Sequence, residues 1–165
     1  MLKLKNIIVP AMLIALAGCS QRVHNSQKGN IKKTGSDSLF ITLSIKNVLK
    51  AGEKPNLKFL VSNDKSASKS FCKWHTPFEP LMSKYLDIKD QDGNEALYKG
   101  PMAKRIMPPP ADSYQTVKPM DTVVSIIDLS KAYELKEGKE YTVSYNSGSI
   151  SGLRPSNTVS FKLEK

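Results

Sequence analysis

The sequence is poor in the residues on which most catalytic and metal sites depend. It has two Cys, two His and one Trp among 165 residues, whereas structural zinc takes four Cys or His ligands and catalytic zinc takes three protein ligands. It contains no His-Glu-x-x-His, no Gly-x-Ser-x-Gly and no glycine-rich phosphate loop. His24 lies in a polar segment that offers nothing to orient it. We therefore expect that the protein is not an enzyme and holds no cofactor or metal.

Long apolar runs are also scarce. The run at residues 7–17 follows Lys3 and Lys5 and is too short to cross ~30 Å of hydrocarbon as a helix. A basic start, a short apolar run and small residues before the cleavage point are typical of a secretory signal, which predicts a signal peptide at residues 1–18. Leu-Ala-Gly directly before Cys19 resembles the bacterial lipobox, in which that Cys is lipidated. An ordinary signal peptide with a chance Cys is the alternative.

The lipobox resemblance implies a location. Ser20 after Cys19 resembles sorting to the outer membrane, so we expect a lipid-anchored protein of the cell envelope, facing the periplasm or the cell surface. Cleavage would remove Lys3 and Lys5 and no acidic residue, lowering the net charge from +10 to about +8. The lysines are scattered rather than clustered, which disfavours nucleic acid and favours anionic lipid or an acidic protein partner. A lysine-rich soluble surface explains the charge equally well, and the oligomeric state stays open.

Strand signals begin only after a polar stretch. Residues 19–38 read as the lipidated Cys and a flexible tether. Residues 39–165 contain short β-branched and aromatic runs separated by turn residues, and no ten-residue helical period. This predicts one all-β domain, an immunoglobulin-like antiparallel β-sandwich. Tyr141 is placed to form a tyrosine corner, Asp92-Gly93 predicts a hairpin turn, and a single helical turn is expected at 130–135. The strands are predicted at 39–45, 57–62, 71–74, 85–89, 96–98, 103–107, 122–129, 141–145 and 159–163.

The stretch FCKWHTPFEP, residues 71–80, concentrates the chemistry that the chain has. As a strand, it would place Cys72 and Trp74 on one buried face, with Trp74 between the sheets, and turn His75 the other way. With Cys19 lipidated, no intrachain disulfide is possible. A metal site of Cys72, His75 and Glu79, or a Cys-His nucleophile, is the competing interpretation. Paired carboxylates for glycoside chemistry would have to come from Asp87, Asp90, Asp92 and Glu95.

Three motifs occur in order along the chain: Trp74-x-Thr76-Pro77, Gly100-Pro101-x-x-Lys104-Arg105 and Asp128-Leu129-Ser130-x-Ala132-Tyr133. Together they resemble the N-terminal prodomain of the deuterolysin-like aspzincin metalloendopeptidases, over about residues 39–145. The zinc-binding catalytic domain of that family, with its His-Glu-x-x-His, has no counterpart in these 165 residues.

The resemblance implies a function. Such prodomains are β-sandwiches that cover a protease active-site cleft, so a copy on a lipid anchor would be an inhibitor or immunity-like protein against a related zinc protease. The loop at residues 99–105 is the expected contact, because Gly100-Pro101 fixes a turn and Lys104-Arg105 offer charge. A structural turn with solvated charges is the plainer explanation. A non-inhibitory immunoglobulin-like binding or structural module, or a degenerate protease that still binds peptides, would be the alternative. The candidate partner-binding residues are Lys73, Trp74, His75, Thr76, Pro77, Lys99, Gly100, Pro101, Lys104 and Arg105.

Overall fold

The computed structural model describes residues 38–155 and 157–165. The predicted signal peptide, Cys19 and all but the last residue of the predicted tether lie outside them. Three helical turns occur in the described part: Ala111–Ser113, Leu129–Lys131 and α1 (Gly148–Ser151). The strands there are β1 (Phe40–Ser44), β2 (Val48–Leu49), β3 (Asn56–Ser62), β4 (Lys69–Cys72), β5 (Leu86–Asp90), β6 (Tyr114–Val117), β7 (Thr122–Asp128), β8 (Glu140–Tyr145), β9 (Arg154–Pro155) and β10 (Val159–Leu163). Within these residues no helix is long and apolar enough to cross a bilayer.

The strands form the predicted all-β sandwich. One sheet has the order β7-β3-β1-β9, the other has the order β2-β10-β8-β5, and β4 pairs with β6 as a separate ribbon. The arrangement is immunoglobulin-like, because the first, second and fourth long strands (β1, β3, β7) share one sheet while the third, fifth and last (β5, β8, β10) share the other. Pairing is antiparallel apart from two short parallel contacts, β1 with β9 and β2 with β10.

The core lies between the two sheets and follows the alternation of the strands. On β3, Leu57, Phe59 and Val61 are completely buried, whereas the residues between them face outward. The Phe59 ring meets the Tyr145 ring of β8 edge-to-face at 5.3 Å between centroids, which joins the sheets. Each such side chain contributes about 1.5–3 kcal/mol by leaving water. The strong period-2 pattern therefore fixes which face of β3 is inside.

The predicted tyrosine corner is present. Tyr141 is the second residue of β8, and the Lys136 backbone N–H, five residues earlier, donates to its hydroxyl at 2.8 Å. The Tyr141 ring stacks on Phe161 at 5.5 Å. The corner holds the loop that leads from the Leu129–Lys131 turn into β8. That turn confirms the expected helical turn, although it is shorter and begins one residue earlier than predicted.

Three strand predictions need correction. The predicted strand at 71–74 begins at Lys69 and ends at Cys72. The Lys73 carbonyl accepts the Thr76 N–H at 3.1 Å and the Thr76 hydroxyl at 2.5 Å, so the chain turns instead of continuing the ladder. Trp74 consequently lies in the turn; it is buried, as predicted, but it does not belong to the main core cluster. Residues 96–98 and 103–107 are not strands; the first makes only an isolated bridge at Tyr98. The sequence prediction also missed β2, β6 and β9.

Candidate functional site

A tight turn at residues 73–79 follows β4. Its centre is Thr76, which is fully buried. The Thr76 hydroxyl donates to the Lys73 carbonyl at 2.5 Å and accepts the Phe78 N–H at 3.2 Å. The Ser125 hydroxyl of β7 donates to the Pro77 carbonyl at 2.9 Å, which ties the turn to the neighbouring sheet. Because a Thr hydroxyl can donate and accept at once, one side chain closes the turn.

His75 occupies a left-handed backbone conformation inside this turn, with φ of 57°. Such a φ is uncommon for a residue other than Gly and persists where surrounding bonds determine it. Here the His75 N–H donates to the Glu79 carboxylate at 3.0 Å, and the His75 carbonyl accepts the Tyr145 hydroxyl at 3.1 Å. Burial lowers the pKa of His75; the Glu79 carboxylate opposes this shift, and the Arg105 guanidinium adds to it. The neutral imidazole is therefore the form that the fold favours.

Arg105 connects a second segment to the turn. Its guanidinium lies 2.5 Å from the Glu79 carboxylate and 4.9 Å above the centroid of the Trp74 ring. Both charged side chains are largely buried, with 22% of Arg105 and 9% of Glu79 exposed. A planar guanidinium suits both the carboxylate and the aromatic face. Arg105 therefore fastens the loop that carries it onto the turn.

The start of that loop is fixed by Tyr98 and Gly100. The Tyr98 ring meets Tyr133 edge-to-face at 5.2 Å, and its hydroxyl donates to the Pro101 carbonyl at 2.9 Å. The Lys99 N–H donates to the Ala132 carbonyl at 2.7 Å. A Cβ at Gly100 would overlap the Tyr98 ring, so only Gly lets the chain pass this close. The Gly-Pro pair is thus a structural requirement of the loop.

Between its fixed points the loop presents apolar side chains to solvent. Met102, Ile106 and Met107 are 71%, 82% and 68% exposed. We call residues 100–110 the apolar loop. Lys104 is exposed and forms no ion pair with any residue that the structure describes, whereas Arg105 points inward. The sequence prediction missed Ile106 and Met107 because it assigned residues 103–107 to a strand, and it did not single out Met102. The prolines at 101 and 108–110 were the signal against a strand in this segment, since proline cannot donate to a ladder.

The structure divides the ten predicted partner-binding residues. It brings Trp74, His75 and Arg105 together around Glu79. Thr76 and Pro77 shape the turn from inside or through the backbone. Lys73, Lys99, Gly100, Pro101 and Lys104 lie wholly or partly on the surface. Half of the predicted residues therefore support the turn and the loop, and half lie wholly or partly on the surface.

The catalytic alternatives do not gain support from this geometry. No group of three potential metal-ligating side chains occurs within residues 38–155 and 157–165. Cys72 is buried at the end of β4, and the Glu79 carboxylate already has Arg105 and the His75 N–H as partners. What remains in the turn is a set of structural contacts.

The four carboxylates near the predicted hairpin turn share two lysine partners. They are Asp87, Asp90, Asp92 and Glu95. The Lys139 ammonium lies 3.2 Å from Asp90 and 2.5 Å from Asp92. The Lys84 ammonium contacts Glu95 and lies 3.9 Å from Asp87. Gly93, with φ of 83°, confirms the turn itself. The carboxylates thus stabilise a turn and leave no open acid–base pair.

Neither a protein-family model nor a curated protein matches the sequence.

Proposed function

We propose that this domain is a protein-binding module that inhibits a deuterolysin-like zinc metalloendopeptidase by placing the apolar loop in its active-site cleft. The observation that carries the proposal is the combination of exposed apolar side chains and internal support. Met102, Ile106 and Met107 extend into solvent, while Arg105 between them is fastened to Glu79 and Trp74. Loops built this way lose little conformational entropy on binding, because the ordering cost is met during folding.

The composition of the loop suits a groove in another protein. Met is enriched in interface cores and adapts its shape to the partner. Lys104 adds one unpaired positive charge beside Met102 and Ile106, which would favour a cleft of acidic character. The choice of a zinc protease as the partner rests on the motif resemblance. The choice of the loop rests on the geometry.

Inhibition by occlusion of the active-site cleft requires no catalytic group in the inhibitor. An inhibitor that fills the groove with a pre-ordered loop excludes substrate as long as it stays bound, and its strength depends on a few buried apolar anchors. We assign that role to Ile106 and Met107, the two neighbouring exposed side chains. The basic side chains then contribute mainly to the rate of association.

The test is inhibition of peptide cleavage by a purified deuterolysin-like protease. We expect Met107→Asp to raise the inhibition constant about tenfold or more, because it places a charge where an apolar side chain should be buried. Met120→Asp is the matched control, since Met120 is 75% exposed at a distant point of the sequence. Complex formation without inhibition would favour the non-inhibitory binding module. Neither inhibition nor a complex at micromolar concentration would refute the proposal.

The lipid anchor is a separate part of the proposal. We propose that Cys19 is lipidated and holds the domain at the cell envelope, on the basis of the Leu-Ala-Gly that precedes it. Metabolic labelling with radioactive palmitate should mark the wild-type chain and not Cys19→Ser. Equal labelling of both would refute the anchor while leaving the loop proposal untouched.

A further inference from the structure

The edge strands of the two sheets differ in whether their outward backbone groups have hydrogen-bond partners. Beyond the short pairing of β1 with β9, the Asn157 side chain bonds both backbone groups of Leu43, accepting its N–H and donating to its carbonyl at 2.8 Å each. At the edge of β5, the Ala96 N–H donates to Ile88 at 2.8 Å, and the Tyr133 hydroxyl donates to Leu86 at 2.9 Å. β2 is two residues long. Proteins cover or shorten sheet edges in this way to prevent unwanted pairing.

β7 is the exception among the described strands, because it is seven residues long and pairs only with β3. At its two ends, the Asn63 N–H donates to Asp121 at 2.9 Å and the Leu129 N–H donates to Pro55 at 3.1 Å. Hydrogen bonding alternates along an antiparallel pair. The backbone N–H and C=O groups of the odd-numbered residues of β7 therefore point toward β3. The backbone groups of Val124 and Ile126 therefore point away from the sheet.

The open edge is apolar and borders a groove. Val124 and Ile126 are 51% and 60% exposed. A groove of about 180 Å³ runs from Ile126 to the turn at Pro77 and Glu79, and Tyr85 lines it. Tyr85 is 2% exposed, and its hydroxyl makes no hydrogen bond with the described residues. Burial raises the pKa of Tyr85 above its ordinary value, so this hydroxyl stays protonated and can donate to a ligand in the groove.

The charges around this edge indicate the sign of a ligand. The Glu79 carboxylate is paired with Arg105, and the Asp128 carboxylate lies 3.7 Å from the Lys54 ammonium. In contrast, Lys131 beside the groove and Lys58, which pairs with Ile126 in the ladder, form no ion pair with described residues. The unbalanced charge at the edge is positive. An acidic ligand is therefore complementary to it.

We propose that β7 receives an extended, acidic and apolar segment of a partner protein as an added strand. The outward backbone groups of Val124 and Ile126 would bond the segment. An apolar side chain of the segment would fill the groove, and a carboxylate would lie near Lys58 or Lys131. The Tyr85 hydroxyl would donate a hydrogen bond to the added segment. This surface is distinct from the apolar loop, so the inference goes beyond the proposed inhibition.

The test uses the ¹⁵N-labelled full-length chain and the acetylated, amidated peptide Glu-Val-Thr-Val-Glu-Val as the probe. We expect the amide protons of Val124 and Ile126 to exchange about tenfold more slowly at a peptide concentration ten times Kd. The amides of Val123 and Ser125 face β3 and should change little. The same peptide with its backbone nitrogens methylated is the matched probe that cannot form the ladder, and it should not bind.

Substitutions distinguish specific strand addition at β7 from nonspecific binding of the peptide. Ile126→Glu should weaken binding of the acidic peptide about fivefold through a like charge on the edge, whereas Ile126→Lys should not. Tyr85→Phe should also weaken it about fivefold by removing the hydrogen bond. Met107→Asp should leave it unchanged, so failure here is distinguishable from failure of the loop proposal. Equal binding of the methylated peptide, no binding at millimolar concentration, or protection of both amides in the free chain would each overturn the inference.

Discussion

Removing the Arg105 guanidinium should release the apolar loop from the turn at residues 73–79. The Glu79 side chain is 9% exposed in the native structure. In Arg105→Ala its carboxylate loses the cation 2.5 Å away and keeps the His75 N–H as its partner. A buried carboxylate without its cation costs about 3–5 kcal/mol when fully desolvated. Arg105 is itself 22% exposed, so water reaches the site and the expected loss in the free energy of unfolding is about 2–3 kcal/mol.

A double-mutant cycle measured by urea unfolding isolates this interaction. Arg105→Met with Glu79→Gln replaces both charges at similar volume, so the double variant should be more stable than the sum of the single losses by about 1–2 kcal/mol. Arg105→Lys is the charge-preserving control; it should recover only part of the stability, because an ammonium cannot cover Trp74 and the carboxylate in one plane. Additive single losses, or a loss below about 0.5 kcal/mol for Arg105→Ala, would show that the pair does not fasten the loop.

Three further predictions concern other points of the fold. Gly100→Ala should lower the free energy of unfolding by about 1–3 kcal/mol, because the new methyl group displaces the Tyr98 ring; urea unfolding measures it, and an unchanged midpoint would contradict the close contact. Asn63→Ala should cost about 2–3 kcal/mol in the same assay, since the two hydrogens of the buried amide serve three backbone carbonyls at 2.9–3.1 Å, one of them shared, and these carbonyls would lose their donor; a loss below ~0.5 kcal/mol would contradict it. The pKa of His75 is lower in the folded protein than its ordinary value of 6.5, so on acidification the unfolded chain is protonated before the folded one. The free energy of unfolding should therefore fall as the pH drops from 6.5 toward the pKa of His75 in the folded protein. His75→Asn, which tolerates the left-handed backbone, should show a flatter pH dependence of the unfolding midpoint; identical slopes would refute the assignment.

The sandwich was predictable because its signals are local. The alternation in β3 and β7, the left-handed turn residue Gly93 and the position of Tyr141 at a strand start each follow from a few neighbouring residues. The burial of Cys72 followed from its strand context in the same way. Periodicity determines which side chains face inward, and the two sheets then pack on that face.

The surface was less predictable because it depends on distant contacts. The turn after the strand at FCKW is held by residues far along the chain, since the Ser125 hydroxyl donates to the Pro77 carbonyl and the Tyr145 hydroxyl donates to the His75 carbonyl. Arg105 and Glu79 are 26 positions apart, and no local pattern indicates that they pair. The apolar residues of the loop resembled a strand, yet the loop is held by the Tyr98 hydroxyl and by Arg105 and not by a ladder. Tertiary context therefore decided the outcome where local propensity was ambiguous.

The turn at residues 73–79 supports both proposed surfaces without contributing much contact area to either. Glu79 fastens the apolar loop through Arg105 and also lines the groove beside β7. The Pro77 carbonyl accepts a hydrogen bond from Ser125 of β7. A variant that disrupts the turn would consequently impair both kinds of binding, and its phenotype could not identify which surface matters. Substitutions of outward side chains, one in the loop and one on β7, avoid this ambiguity because they leave the shared support intact.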